Sequence, residues 1–356
     1  MTYIAKPKLH HPALACNKIG FTRRDYEGKI STLCAGCGHD SISAAIIQAC
    51  WELDIEPHLA AKLSGIGCSS KTPDYFLGQS HGFNTVHGRM PSVLTGANLA
   101  NRDLIYLGVS GDGDSASIGI GQFVHAIRRG VNMVYIVENN GVYGLTKGQF
   151  SATADVGSSQ KSGRINELMP IDCCELAIQL GCGYVARSFS GDLKQLRALL
   201  KGAFAHRGTA VLDVVSPCVT FADHEGSTKS YAYVKEHDAP LHNIDFVPYY
   251  EDIHVDYAPG TTHDVTMPDG SHLVLQKLAE DYDPQNREQA LVLLGRARRD
   301  EKLLTGLIYV DPAAKPLAQE LNVVDEPLAT LPAERVRPSR EVLTSIMEGL
   351  RTGHGS

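Results

Sequence analysis

Residues 104–114, Leu-Ile-Tyr-Leu-Gly-Val-Ser-Gly-Asp-Gly-Asp, and 133–143, Met-Val-Tyr-Ile-Val-Glu-Asn-Asn-Gly-Val-Tyr, decide the fold. Each begins as a short apolar run, in part β-branched, as strands buried on both faces do. Each run then breaks into a polar loop that no core can absorb. Between them, Ser115 to Arg129 reads as a helix with Ile118, Phe123 and Ile127 on its apolar face and Gly130 at the C′ position. The order strand, loop, helix, strand, loop sets both polar loops at the carboxyl ends of neighbouring parallel strands. Open α/β sheets take their ligands there.

The glycines of 111–114 let backbone N–H groups approach a phosphate, and a following helix would present its positive end. Asp112 and Asn140 offer hard oxygens which, with diphosphate oxygens, suit magnesium. Gly-Asp-Gly alone makes ordinary turns. Followed at this distance by Asn139-Asn140, it is similar to the thiamine diphosphate motif. That resemblance implies that Asp112 and Asn140 ligate magnesium and that the carbonyl of Val142 is a third ligand.

The chain has 356 residues, enough for one large domain or two smaller ones. Its net charge of −7 and lack of a basic stripe argue against nucleic acid as a partner. No apolar run is long enough to span a bilayer, and Met1 to Lys8 carry no apolar signal core. The expected location is therefore cytoplasmic. There, nine cysteines serve metal or redox chemistry better than disulfides.

Residues 1–30 read as an irregular arm containing the lone thiol Cys16. Residues 31–39, Ser-Thr-Leu-Cys-Ala-Gly-Cys-Gly-His, form a Cys-x-x-Cys knuckle that aims two thiolates at one metal. His39 suits either a cofactor contact or a satisfied loop position. A helix from Ile42 to Leu53 follows, with Cys50 as a small core residue. Leu59–Leu63 reads as a strand that opens into the loop 64–70 with Cys68. His81-Gly82 and His87-Gly88-Arg89 flank a short strand, and Pro91–Asn101 is helical. Residues 144–151 are polar and glycine-rich, and 152–170 resemble a lid or a partner contact. Asp172–Leu180 and Asp192–His206 read as helices, Tyr184–Arg187 and Ala210–Val215 as strands, and Cys218 follows the last of these. Cys173, Cys174 and Cys182 read as core or semi-buried thiols. From residue 224 the character changes, with a polar stretch at 224–240 and a hairpin over 265–275 turning at Asp269-Gly270. A helix at 286–299, a strand at 303–310 and a last helix at 338–350 complete the chain. The expected division is an arm at 1–30, a core domain at 31–223 and a C-terminal extension at 224–356 packing on the core or on another subunit.

Cys34, Cys37, Cys68 and Cys218 all fall in loops. Four thiolates suit zinc or a 4Fe–4S cluster, and one pair plus two distant singles leans modestly toward the cluster. In chain order stand Cys-x-Gly-Cys-Gly, Gly-Ile-Gly-Cys-Ser, His-Gly-Arg, Gly-Asp-Gly-Asp and Asn-x-Val-Tyr-Gly-Leu-Thr-x-Gly-Gln. Over roughly residues 30–220 this order resembles the β subunit of 2-oxoacid:ferredoxin oxidoreductases. Two departures are Ala35 in the knuckle, where proline is common, and a longer C-terminal stretch.

The resemblance implies an α/β thiamine diphosphate-binding fold, with a mostly parallel sheet, helices on both faces and a C-terminal extension. It implies that the four cysteines hold a 4Fe–4S cluster. It also implies that Ile66, Gly67, Cys68, Ser69, His87, Gly111, Gly113, Asp114, Gly144 and Leu145 contact thiamine diphosphate. The implied reaction is oxidative decarboxylation of a 2-oxoacid, with coenzyme A taking the acyl group and ferredoxin the electrons. Activity would require an α subunit, in a dimer of αβ pairs. Lys147, just past the magnesium loop, suits either a solvated loop position or a contact with a substrate anion, and in the second case would pair with the distal carboxylate of 2-oxoglutarate, which pyruvate lacks. The alternatives are a pyruvate or broad 2-oxoacid user of the same family, a non-redox thiamine diphosphate decarboxylase or synthase, and a zinc-bound scaffold without enzymatic activity.

Overall fold

The computed structural model describes residues 13–160, 162–216, 218–220, 256–266, 272–279, 281–300 and 302–352. Its core is a nine-stranded sheet in the order β2-β1-β3-β4-β8-β7-β11-β10-β9. The strands are β1 (Ala60–Ser64), β2 (His81–Asn84), β3 (Ile105–Gly111), β4 (Met133–Asn139), β7 (Tyr184–Phe189), β8 (Thr209–Val215), β9 (Thr262–Thr266), β10 (His272–Lys277) and β11 (Leu303–Val310). A separate two-stranded ribbon, β5 (Val142–Tyr143) and β6 (Gln149–Phe150), stands above the end of β4. The six strands from β2 to β7 are all parallel. Antiparallel β11 joins them at β7, and β10 and β9 extend the sheet beyond it. The fold is thus the mostly parallel α/β sheet that the apolar strand runs predict.

Those runs are continuous because both faces of each strand are covered. Along β4, Met133, Tyr135 and Val137 enter one core, which packs on helices α2 (Met90–Ala100), α3 (Ile120–Arg128), α4 (Cys173–Gln179) and α6 (Arg287–Arg299). Val134 and Ile136 enter the other, which packs on α1 (Gly38–Glu52) and α5 (Leu193–Ala205). Cys50 lies in that second core, whereas Cys173, Cys174 and Cys182 are buried in the first. Side-chain caps fix three of the helix starts, with Asn286 accepting from the Gln289 amide at the start of α6. Asp172 accepts hydrogen bonds from the Cys174 and Glu175 amides, and Asp192 accepts one from the Gln195 amide.

One expected element differs. Ser115–Arg129 does not form one helix: a π-helical turn spans Gly113–Ile118, and α3 begins only at Ile120. The wider turn carries an extra residue and rotates Ile118 off the apolar face, so it is 49% exposed while Phe123 and Ile127 stay buried. The positive end of an α-helix therefore does not abut the Gly-Asp-Gly loop.

The expected polar stretch at 224–240 and the turn at Asp269-Gly270 lie outside the described residues, although β9 and β10 pair antiparallel on either side of the turn. The last helix, α7 (Arg340–Thr352), buries none of its residues. Among the described residues, no helix is long and apolar enough to cross a membrane.

Candidate functional site

The loops that leave β1, β3 and β4 meet above the carboxyl edge of the sheet, around an open crevice of ≈ 440 Å³. Ile66, Gly67, Cys68 and Ser69 line it from the β1 loop, and His87 from the loop before α2. Gly111, Asp112, Gly113 and Asp114 line it from β3. Asn140, Val142, Gly144 and Leu145 close it from β4 and the ribbon. The structure therefore brings these thirteen candidate residues together. It also adds Glu138, Tyr143 and Thr146 to the lining. Lys147, Cys34, Cys37 and Cys218 lie outside it.

The glycines are there because the walls are close. A Cβ on Gly111 would lie 2.7 Å from Ser69 Oγ, and one on Gly113 would lie 2.5 Å from the Tyr143 ring. Tyr143 in turn donates its hydroxyl to the Gly113 carbonyl at 3.0 Å, tying the β3 loop to the β4 loop. Such a cradle leaves backbone, rather than side chains, facing a bound phosphate.

Asp112 is buried, and its carboxylate is held from three directions. Oδ1 accepts from the Asn140 amide at 3.3 Å. Oδ2 accepts from Ser151 and lies 2.7 Å from Thr153 Oγ1. Asn140 Oδ1 accepts from the Val142 amide at 3.1 Å, which turns the amide oxygen toward the same loop. One carboxylate, one amide oxygen and one loop carbonyl match the hard donors that a magnesium diphosphate needs, with phosphate oxygens and water completing the shell. Asp114 is differently employed. Its Oδ1 accepts from the Gly88 amide at 2.8 Å and its Oδ2 from Ser110 Oγ at 2.6 Å, so the carboxylate braces the crevice wall.

The four loop cysteines converge beside the crevice. Cys34 and Cys37 form the tight knuckle, closed by the Cys37 amide donating to the Cys34 carbonyl at 3.1 Å, with Gly36 in the left-handed conformation at φ 75. From the spot where a Gly144 Cβ would stand, Cys68 Sγ is 3.4 Å away and Cys218 Sγ 3.9 Å. Thr220 donates to Cys34 Sγ at 3.3 Å, which holds the Cys218 segment against the knuckle. Burial, and then Glu138 and Cys218, push the Cys37 thiol far up. Burial and Cys218 also raise Cys68, against the pull of Lys71. Thiolates gathered here need a cationic partner, which iron would supply. Among the described residues no three His, Cys, Asp or Glu side chains surround a single ion. Neither expected centre would require that: a cubane spreads its thiolates over separate irons, and the magnesium site uses one carboxylate.

Glu138 and His39 lie between the two groups of residues. Both are fully buried, with His39 Nδ1 3.6 Å from Glu138 Oε2. Burial pushes the Glu138 carboxyl well up and drops His39 to about 4, so burial disfavours the charged form of each. His39 Nδ1 is hydrogen-bonded to Ser216 Oγ at 2.8 Å, and Thr72 donates to Glu138 Oε1 at 3.1 Å. His39 is thus a satisfied buried residue, the plainer of its two sequence readings. Lys147 is exposed and adopts φ 81, a left-handed conformation that a non-glycine residue rarely takes.

Sequence reasoning passed over Ser151, Thr153 and Tyr143. Ser151 and Thr153 reach Asp112 only because the ribbon reverses the chain, a pairing that no local pattern announces.

Residues 65–214 match the family model described as thiamine pyrophosphate enzyme, C-terminal TPP binding domain. A Sulfolobus protein named 2-oxoacid:ferredoxin oxidoreductase subunit beta is 42% identical over 216 residues, 60% of this chain and 68% of that protein. The 2-oxoglutarate oxidoreductase subunit KorB of Mycobacterium tuberculosis is 39% identical over 191 residues, 53% of this chain and 51% of that one. A solved structure of 2-oxoglutarate:ferredoxin oxidoreductase from Magnetococcus marinus, with 2-oxoglutarate, coenzyme A and succinyl-CoA bound, has a TM-score of 0.70 and 29% identity. The alignment covers 94% of this chain and 98% of that one. On this identity and coverage, the chain belongs to the family of β subunits of thiamine diphosphate-dependent 2-oxoacid:ferredoxin oxidoreductases.

Proposed function

We propose that this chain is the β subunit of a CoA-acylating 2-oxoglutarate:ferredoxin oxidoreductase, working in the cytoplasm with an α subunit as a dimer of αβ pairs. The observation that carries this reading is the convergence of four cysteines on the rim of a glycine-walled crevice containing Asp112 and Asn140. Asp112, Asn140 and the Val142 carbonyl would hold magnesium. Ile66, Gly67, Cys68, Ser69, His87, Gly111, Gly113, Gly144 and Leu145 would surround thiamine diphosphate, and Asp114 would brace its wall. Cys34, Cys37, Cys68 and Cys218 would hold a 4Fe–4S cluster. When bound, thiamine diphosphate supplies the electron sink for decarboxylating a 2-oxoacid, and a cluster passes the electrons singly to ferredoxin.

The chain's own residues do the rest. Asp112 and Asn140 fix the diphosphate end, and burial disfavours charge on Glu138 and His39 beside the thiolates. The carboxylate that presses on an aminopyrimidine would come from elsewhere, since Asp112 and Asp114 are committed and Glu138 is fully buried with Oε1 accepting from Thr72. The α subunit would supply that group, so the isolated β chain should not turn over a 2-oxoacid, whereas the αβ complex should. Turnover by the lone chain would refute this division of labour.

Lys147 bears on the choice of 2-oxoacid. It stands outside the crevice lining on a left-handed turn next to Thr146, which lines the crevice, and in this reading its ammonium meets the far end of the substrate at the rim. An exposed charge-assisted contact sits at the low end of the usual range, about 1.5 kcal/mol, or roughly tenfold. Lys147→Ala is therefore expected to lower kcat/KM for 2-oxoglutarate about tenfold and to leave pyruvate unchanged. An equal change for both substrates would favour the second reading, a broad 2-oxoacid user like the relatives that carry that name.

A further inference from the structure

A line of buried and half-buried polar side chains crosses four neighbouring strands and ends on Asp112. Arg187 on β7 is 5% exposed and donates Nε–H to Asp213 Oδ2 on β8 at 2.9 Å. The other Asp213 oxygen, Oδ1, accepts from Asn139 Nδ2 at the end of β4 at 3.0 Å. That bond fixes which way the Asn139 amide faces, because only its nitrogen can donate to the carboxylate. Asn139 Oδ1 is thereby aimed at Thr153 Oγ1, 3.0 Å away. Thr153 Oγ1 in turn lies 2.7 Å from Asp112 Oδ2 at the end of β3. At the far end, Arg187 Nη2 donates to Asp172 Oδ1 at 2.6 Å, and Asp172 is also 3.8 Å from Arg298 Nη2 on α6.

Stability alone does not call for this arrangement. A buried ion pair gives little over apolar residues of the same volume, because desolvation cancels most of the attraction. What ions and amides provide, and apolar groups do not, is direction. From Arg187 to Asn139 each link has a single donor–acceptor sense, set by the fixed guanidinium at one end; the one Thr153 hydroxyl proton is then shared between the two acceptors Asn139 Oδ1 and Asp112 Oδ2, which holds the hydroxyl between them. Hydrogen-bond partners behind a metal ligand orient that ligand, and losing one typically weakens metal binding about 10–100-fold.

We propose that Arg187, Asp213, Asn139 and Thr153 form a positioning chain that holds the Asp112 carboxylate in the orientation that receives the divalent cation of thiamine diphosphate. This rests on the reading of Asp112 as a magnesium ligand. The chain touches neither cofactor nor substrate, and it is separate from the four cysteines. Its failure should appear in magnesium affinity before anything else.

The test uses the αβ complex stripped with EDTA, with MgCl2 titrated in by calorimetry at fixed thiamine diphosphate. Thr153→Val removes only the hydroxyl at a partly exposed position, so it keeps the test sound even if the more buried Asp213→Asn folds poorly. Each single variant is expected to weaken magnesium binding about 10–100-fold, with iron and sulfide content unchanged. Thr153→Ser, which keeps the hydroxyl, is expected to restore wild-type affinity. The double variant should bind no worse than the weaker single one, because both break the same line. Wild-type magnesium affinity in both single variants, or fully additive losses in the double, would overturn the proposal. If the unaltered complex binds thiamine diphosphate equally well without magnesium, the reading of Asp112 fails first, and the positioning chain falls with it.

Discussion

Replacing Cys218 by serine in the αβ complex is expected to reduce ferredoxin reduction to background while thiamine diphosphate still binds. Cys218 does not line the crevice, so its loss leaves the diphosphate cradle intact. Its sulfur nevertheless stands with that of Cys68 at Gly144, and its segment is tied to the knuckle through Thr220. A serine oxygen is a harder donor than a thiolate and is a poor substitute on iron–sulfur iron. The measurement pairs ferredoxin reduction, driven by 2-oxoglutarate and coenzyme A, with calorimetric uptake of magnesium thiamine diphosphate. Cys16→Ser is the matched control: Cys16 is exposed in the N-terminal region and should change neither quantity. Full ferredoxin reduction by Cys218→Ser would remove Cys218 from the ligand set.

Asp112→Ala is expected to have the opposite profile, with cofactor uptake lost and the iron retained. The substitution deletes the one carboxylate of the proposed cation site and the acceptor of the Asn140 amide, Ser151 and Thr153 together. Magnesium affinity should fall by more than the roughly 100-fold upper range for losing an outer partner, since here the ligand itself goes. Asp112→Asn tests charge apart from shape and should fall between wild type and alanine. Visible absorbance should persist in both variants, because the cysteines are untouched. Wild-type affinity in Asp112→Ala would place the cation elsewhere.

The legible parts of the fold share one physical cause. β3, β4 and β8 are buried on both faces, so each appears as a mostly apolar run, interrupted in β8 by Asp213. The Gly-Asp-Gly-Asp and Asn-Asn loops are legible because their spacing sets both at the carboxyl ends of neighbouring parallel strands, where such sheets take ligands. What escaped depends on contacts between distant parts of the chain. The π turn at 113–118 is set by the close approach of Gly88 to Gly119 and by the bond from the Gly88 amide to Asp114, and neither is a local property of the helix sequence. Arg187 reads locally as one more residue of a strand; only its register opposite Asp213 reveals a partner. The strand at 303–310 was readable from its apolar run, but its antiparallel seat on β7 is a fact of topology. At the site, the candidate residues could be picked out by type, whereas the hydroxyls that hold Asp112 arrive by way of the β5–β6 ribbon.

Metal and cofactor analysis of the αβ complex, purified without oxygen, tests most directly whether a thiolate-held cluster adjoins the Asp112 crevice. A brown protein is expected, carrying about four irons and four sulfides per β chain together with thiamine diphosphate and magnesium. A colourless protein that holds thiamine diphosphate without iron, or zinc without thiamine diphosphate, would contradict the account.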